Sequence, residues 1–94
     1  MGYSIYALYD NEADQVKAIE LLNNHFVRPH GDDSAISGPC TDPAYRNKKH
    51  QFIVGFDYSS WIEENEREYL MALMHWLRSI HGGELWYDGC RLIM

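Results

Sequence analysis

The sequence predicts an α+β domain in which two helices cover one face of an antiparallel sheet. Two alternating strand segments each lead into an amphipathic helix, and Asp88-Gly89 lies between two short apolar runs near the end of the chain. Alternation with a period of two is typical of half-buried strands, and Asp-Gly is typical of a tight hairpin. With 94 residues, 46% of them hydrophobic, residues 1–94 are expected to form a single domain around one core.

The first strand and helix are predicted within residues 3–26. The strand side chains expected to share one face are Tyr3, Ile5, Ala7 and Tyr9. Asn11 is a candidate N-cap, because Asp14 follows three residues later and acidic residues favour a helix N-terminus. The core-facing stripe of the helix is expected to contain Ala18, Ile19, Leu22 and Phe26. Pro29 and Gly31 are expected to end this helix.

The second strand and helix are predicted within residues 51–81. The strand residues expected on one face are Phe52, Val54, Phe56 and Tyr58. Ser60 and Glu63 have the spacing of a capping box, which predicts that the helix begins there. Its apolar stripe is expected to contain Ile62, Tyr69, Leu70, Leu73, Trp76, Leu77 and Ile80, with Gly82 and Gly83 ending the helix.

The middle of the chain decides the finer fold prediction. A long segment without secondary structure is uncommon in a small domain, so a further strand is expected near residues 34–37. The element order is then βαββαβ with an extra strand from the C-terminal hairpin, which is the order of a ferredoxin-like sandwich. The alternative is an α/β arrangement in which the middle segment stays irregular.

Charge and cysteine content narrow the expected partners and location. The formal net charge of −6 argues against nucleic acid as a partner, since phosphate binding depends on Lys and Arg. Two cysteines, Cys40 and Cys90, are too few for a disulfide scaffold and favour a reducing compartment. No apolar run approaches the length of a membrane span. A cytoplasmic protein without membrane contact is therefore expected.

The residue types that bind metals are concentrated between residues 28 and 50. The candidate ligands are His30, Asp32, Asp33 and Cys40, with Asp42 and His50 nearby. Their spacing matches no standard zinc motif, and two aspartates beside a glycine are typical of a turn. No motif for a nucleophile or for phosphate binding occurs. The sequence therefore favours a non-catalytic protein without a cofactor, with a small enzyme or metal-dependent protein as the alternative.

Two aspartates follow the predicted strands directly. Asp10 and Asp57 would together offer oxygen ligands to a divalent cation if the two strand ends were neighbours. Aspartate at a strand–helix junction more commonly caps the helix, and this interpretation is preferred for Asp10. For Asp57 both interpretations stay open, because Ser59 and Ser60 also offer caps.

The aromatic and acidic residues predict a protein-binding surface. Two helices cover one sheet face, so some strand aromatics are expected on the other face, where Tyr and Trp are typical of interfaces. The candidate partner-binding residues are Tyr6, Trp86, Tyr87, Glu63, Glu64 and Glu68. The expected function is that of a small acidic regulator or inhibitor that binds another protein or forms a homodimer. In size and charge it resembles inhibitory proteins of phages and mobile elements. Nucleic-acid binding through residues 46–50 is a further alternative.

Overall fold

The structure, a computed structural model, describes residues 2–27 and 35–87 and the backbone of residues 90–91. Two helices pack on a three-stranded antiparallel sheet with the order β2-β1-β3, and a two-residue β4 pairs with β3, so the chain is α+β. Within these ranges no helix combines the length and apolarity needed to cross a membrane. The elements are β1 Gly2–Leu8, α1 Glu12–His25, β2 Ile53–Ser59, α2 Glu64–His81, β3 Glu84–Tyr87 and β4 Cys90–Arg91.

β1 lies at the centre of the sheet, and its register fixes the two faces. Ile5 lies opposite Phe56 of β2, and Ala7 lies opposite Leu85 of β3. These side chains face the helices and are buried, as the alternation in the sequence predicts. The same register places the Gly2–Ser59 pair at one end of the sheet and the Leu8–Ile53 pair at the other.

α1 begins and packs as its sequence predicts. The Asn11 side chain accepts a hydrogen bond from the Asp14 backbone N–H at 2.9 Å, which confirms Asn11 as the N-cap. Ala18 and Leu22 are buried against the sheet, and Ile19 and Phe26 pack at the edge of this core. The helix ends at His25, before Pro29.

α2 differs from its prediction at both ends. The capping box at Ser60–Glu63 does not form: α2 begins at Glu64, and the N-cap Glu63 makes no side-chain capping bond with the described residues. The buried stripe is Leu70, Leu73, Met74 and Leu77. Ile80, by contrast, is 53% exposed. One turn after Leu77, the position that faces the sheet is occupied by His81, whose ring packs against Tyr9.

Residues 35–40 follow the outer edge of β2 without forming a continuous strand. Ile36 and Cys40 make isolated antiparallel bridges to Tyr58 and Gly55. Between them Gly38 has a φ of 83°, and Pro39 has no N–H to donate, so the ladder is interrupted. The strand predicted near residues 34–37 is therefore reduced to single bridges in its described part, and Ser34 lies outside the described residues.

Candidate functional site

The sheet face that points away from the helices is covered by residues 42–50, which we call the cover segment. The register places Ser4 opposite Asp57 and Tyr6 opposite Trp86 on this face. The Ser4 hydroxyl donates a hydrogen bond to the Asp57 carboxylate across the two strands. The cover segment runs over these polar side chains, so the sheet lies between the helices on one side and this segment on the other.

Backbone N–H groups of the cover segment bond to side-chain oxygens of the sheet. Three backbone donors bond to the side chains of three strand residues: the N–H of Ala44 to both Asp57 oxygens (3.0 and 3.1 Å), that of Tyr45 to Ser4 Oγ (2.9 Å) and that of Asn47 to Tyr6 Oη (2.9 Å). Residues outside regular secondary structure have no ladder to bond to, and here strand side chains accept their N–H groups. The polar residues of β1 and β2 therefore anchor the cover segment.

The cover segment packs against two of the aromatic rings predicted to bind a partner. Tyr6 is fully buried, and its ring is stacked on Trp86 with 6.5 Å between centroids. The His50 ring meets Trp86 edge-on at 4.4 Å and Tyr6 at 6.0 Å. Trp86 is half-buried by these neighbours. In this conformation the Tyr6 ring offers no surface to another molecule.

Asp10 and Asp57 do not form a shared carboxylate site. β1 and β2 are antiparallel, so Asp10 follows the Leu8 end of the sheet, whereas Asp57 lies opposite Ser4 near the other end. Asp10 is exposed, and the neighbouring Asn11 caps α1 in its place. Asp57 binds the Ser4 hydroxyl and the Ala44 N–H. The capping interpretation is therefore wrong for Asp10, and Asp57 anchors the cover segment.

The cluster predicted between residues 28 and 50 is only partly described. His30, Asp32 and Asp33 lie outside the described residues. Cys40 is half-buried, and burial raises the pKa of its thiol, with the nearby Asp57 charge acting in the same direction. The thiol form is therefore favoured over the nucleophilic thiolate. Across residues 2–27 and 35–87, no three His, Cys, Asp or Glu side chains are grouped to hold a metal ion.

The basic residues of the cover segment surround a turn. Arg46 donates a hydrogen bond from Nη1 to the Pro43 carbonyl at 3.0 Å, and the Asn47 side chain accepts one from the Lys49 N–H at 3.0 Å. Lys48 and Lys49 are exposed, whereas the ring of His50 packs on the sheet. Nucleic-acid binding through residues 46–50 stays a prediction.

The largest exposed apolar side chain near the helices is Trp61, which lies between β2 and α2. Its side chain is 67% exposed, and Tyr45, at the same end of the sheet, is 47% exposed. A Cβ atom on Gly2 would lie 2.9 Å from the Tyr45 ring, which places this ring over the start of β1. In the sequence, Trp61 lies inside the predicted capping box from Ser60 to Glu63. A tryptophan outside the apolar stripe of α2 is the sequence signal for this exposed ring.

Two grooves flank the end of β2, the strand that precedes Trp61 in the chain. One, of about 340 Å³, is lined by Tyr45, Tyr58 and Ser59, among others. The other, of about 320 Å³, is lined by Ser59, Ile62 and Tyr87, among others. Tyr87 is half-buried, so part of its ring forms the groove wall. The grooves make this end of the sheet concave, and the exposed aromatic rings add apolar surface, unlike a flat charged surface.

The first turns of α2, which follow Trp61 in the chain, carry several negative charges. Glu63, Glu64 and Glu68 are exposed, as expected for partner-binding candidates. Arg67 is the one described cation among them, and its guanidinium lies 3.8 Å from Glu64. We call this region, which consists of Trp61, Tyr45, Tyr87 and the glutamates Glu63, Glu64 and Glu68, the Trp61 end.

No protein family, curated protein or solved structure matches this chain.

Proposed function

We propose that the protein is a non-catalytic regulator or inhibitor that binds the basic surface of another protein through the Trp61 end. The observation that carries the proposal is the 67% exposure of Trp61 beside the acidic start of α2. Tryptophan is enriched among the residues that dominate binding energy, because it buries a large area when a partner covers it. In the free protein this ring is left in water.

The two grooves support an aromatic anchor with surrounding contacts. An interface needs a centre that excludes water and a rim that stays polar. Trp61 and Tyr45 provide apolar surface, and the grooves beside Tyr58 and Ser59 can receive side chains of the partner. The rim consists of exposed serine and glutamate side chains, including Ser60.

Charge favours a basic partner over a second copy of this chain. The protein has a formal net charge of −6, and the exposed residues Glu63, Glu64 and Glu68 follow the proposed anchor in the chain. Two such surfaces facing each other would bring like charges together, which costs free energy. A basic surface, such as one that normally binds nucleic acid, would be attracted and would associate faster at low salt.

We infer a ferredoxin-like fold for the same domain. The bridges of Ile36 and Cys40 put residues 36–40 beside β2, so β2 lies between this segment and β1. In that fold one helix connects two strands, and a third strand lies between these two in the sheet. This arrangement is called split βαβ. Residues 36–40 would then be a shortened second strand, and β4 would be the additional one.

The proposal is tested by comparing captured proteins among three variants. Wild type, Trp61→Ala and Ile80→Ala are immobilised, and bound proteins are quantified at low and high salt. Ile80 is a similarly exposed apolar residue near the C-terminal end of α2, whereas Trp61 precedes the helix. We expect a partner that is lost with Trp61→Ala and at high salt but kept with Ile80→Ala. With the purified partner, Trp61→Ala should weaken binding by about 30-fold or more, the effect of a hot-spot residue.

Two outcomes would contradict the proposal. One is a partner that binds Trp61→Ala and the triple variant Glu63→Gln, Glu64→Gln, Glu68→Gln as tightly as wild type. The other is concentration-dependent dimerisation of the pure protein, measured by light scattering, that Trp61→Ala abolishes. That result would show that the Trp61 end binds a second copy of this chain and not a basic partner.

A further inference from the structure

Three tyrosine rings form one aromatic patch near the Gly2–Ser59 end of the sheet. Tyr3 lies opposite Tyr58 in the register, with 5.7 Å between their ring centroids. The centroid of the Tyr87 ring is 5.7 Å from that of Tyr3 and 6.5 Å from that of Tyr58. All three residues line the groove of about 320 Å³. Tyr3 and Tyr87 are half-buried, so part of this aromatic patch faces the groove.

The polar lining of the same groove is rich in hydrogen-bond donors. Ser60 and Arg67 line it beside the tyrosines, and both are exposed. Serine and tyrosine hydroxyls each donate one hydrogen bond, and a guanidinium group donates without accepting. A ligand that offers many acceptors and few donors of its own is therefore complementary to this lining.

A proline-rich segment has this combination of groups. Proline has no backbone N–H, and a polyproline II helix makes no internal hydrogen bonds, so its carbonyl groups are left to accept bonds from a partner. Such segments dock in aromatic-lined grooves, where their fixed conformation reduces the entropy lost on binding. A groove of about 320 Å³ is at the small end of ligand pockets, which span about 300–1,000 Å³. This size favours a narrow extended chain over an α-helix about 10–12 Å wide.

Exposed carboxylates at the groove add a preference for positive charge. Glu64 lines the groove, and 77% of its side chain is exposed. Glu63 and Glu68 are exposed on the same part of the chain. Arg67, whose guanidinium lies 3.8 Å from Glu64, is the one cation among the described residues that line the groove. The acidic groups therefore outnumber it, and a Lys or Arg of a ligand would be attracted.

We propose that this groove binds a proline-rich segment of another protein, with a Lys or Arg beside its prolines. The proposal rests on the proposed function, because the segment would belong to the basic partner that the Trp61 end binds. A second copy of this chain does not supply such a segment, since its prolines are the isolated residues Pro29, Pro39 and Pro43.

The proposal is tested by titrating three synthetic peptides into the 94-residue protein and following its amide NMR spectra. The first peptide alternates prolines with alanines and ends in two arginines. The second has alanine at every proline, and the third has glutamate at both arginines. We expect the first peptide to cause saturable shifts of the amides of Tyr3, Ser60 and Arg67. The second should bind about 10-fold more weakly, because it has to be ordered on binding, and the third about 5-fold more weakly.

Variants of the groove identify which side chains contact the first peptide. Tyr87→Leu keeps an apolar side chain but removes an aromatic ring, and it should weaken binding about 10-fold. Tyr45→Leu is its control, because Tyr45 is exposed but does not line this groove. Glu64→Gln should weaken binding about 3-fold, whereas Arg67→Gln, which removes the opposite charge, should leave it equal or tighter. Melting temperatures confirm that each variant folds.

Three results would overturn the proposal. The first is equal affinity for the peptides with and without prolines. The second is unchanged affinity in a folded Tyr87→Leu variant. The third is weaker binding in Arg67→Gln with tighter binding in Glu64→Gln, which would assign the groove to an anionic ligand.

The capture experiment separates this proposal from the proposed function. A captured partner that is lost with Trp61→Ala but binds Tyr87→Leu as it binds wild type would overturn the proline-rich segment and leave the proposed function standing. Saturable peptide binding that Tyr87→Leu weakens, without any partner that depends on Trp61, would support the groove assignment and contradict the proposed function.

Discussion

The Tyr9 ring lies in the core beside the C-terminal end of α2, with its hydroxyl close to a carboxylate. Burial and the Asp14 charge raise the pKa of this hydroxyl from 10.0 to about 12 in the folded protein. In the unfolded chain the same group releases its proton near the ordinary value. The folded state therefore binds one more proton than the unfolded state between these two values, and protein stability depends on pH in that range.

We expect the free energy of unfolding to fall as pH rises from about 10 to about 12, by about 2 kcal/mol from Tyr9 alone, because one pKa unit corresponds to 1.36 kcal/mol. Below pH 10 this contribution is fully present. Tyr9→Phe should flatten the decrease, whereas Tyr45→Phe, which removes an exposed hydroxyl, serves as the control for losing a tyrosine. Denaturant unfolding at several alkaline pH values measures both. An equally steep decrease in Tyr9→Phe would show that other groups cause it.

Residue roles were predictable where the partners are close in sequence. Asn11 caps an N–H only three residues away, and this spacing is visible in the chain. Asp57 bonds to Ser4, 53 residues away, and to Ala44, 13 residues away. No local pattern encodes such pairs, because they exist only after the strands have paired. Capping was therefore the natural but incomplete interpretation of an aspartate at a strand end.

The N-termini of the two helices allow a comparison of a helix that has a side-chain N-cap bond with one that does not. Asn11→Ala removes the side-chain acceptor of α1 and should lower the free energy of unfolding by about 1 kcal/mol, the usual cost of losing such a cap. Glu63→Ala at the start of α2 removes no side-chain capping bond among the described residues and should cost less than half as much. Urea unfolding of both variants measures the difference. Equal losses would mean that the Asn11 bond adds no stability.

The periodicity of the sequence predicted the helices and strands but not the path of the chain that connects α1 to β2. β1, β2 and both helices have runs long enough for the alternating or helical period to be recognised. Residues 35–52 have no such period, since their structure depends on backbone bonds to side chains of the sheet. The exposed aromatic face expected around Tyr6 is covered for this reason. The exposure of Trp61 likewise depends on α2 starting at Glu64, which the spacing alone did not reveal.

At the scale of the whole molecule, Asp57 joins the sheet to its cover segment. Asp57→Ala removes the acceptor of the Ser4 hydroxyl and of the Ala44 N–H. We expect a loss of about 2–3 kcal/mol in the free energy of unfolding, because hydrogen bonds to a charged group are among the stronger ones and the Ser4 hydroxyl is buried. Chemical denaturation followed by tryptophan fluorescence measures it.

Asp10→Ala is the matched control, since Asp10 is exposed and follows the opposite end of β1. It should change stability by less than about 0.5 kcal/mol, as is usual for surface positions. An Asp57→Ala variant as stable as Asp10→Ala would show that the cover segment is held by its apolar contacts alone.

The anchoring of the cover segment by side chains of two strands also fixes an order of events during folding. Ser4 and Asp57 meet only when β1 has paired with β2, so the acceptors for residues 44 and 45 come together only at that step. Closing a loop of this length is slow relative to helix formation, which places the helices early and the cover segment late. Until the segment docks, the Tyr6 ring and the polar row beside it face water. A partly folded chain would therefore expose this face to other chains until residues 42–50 dock on it.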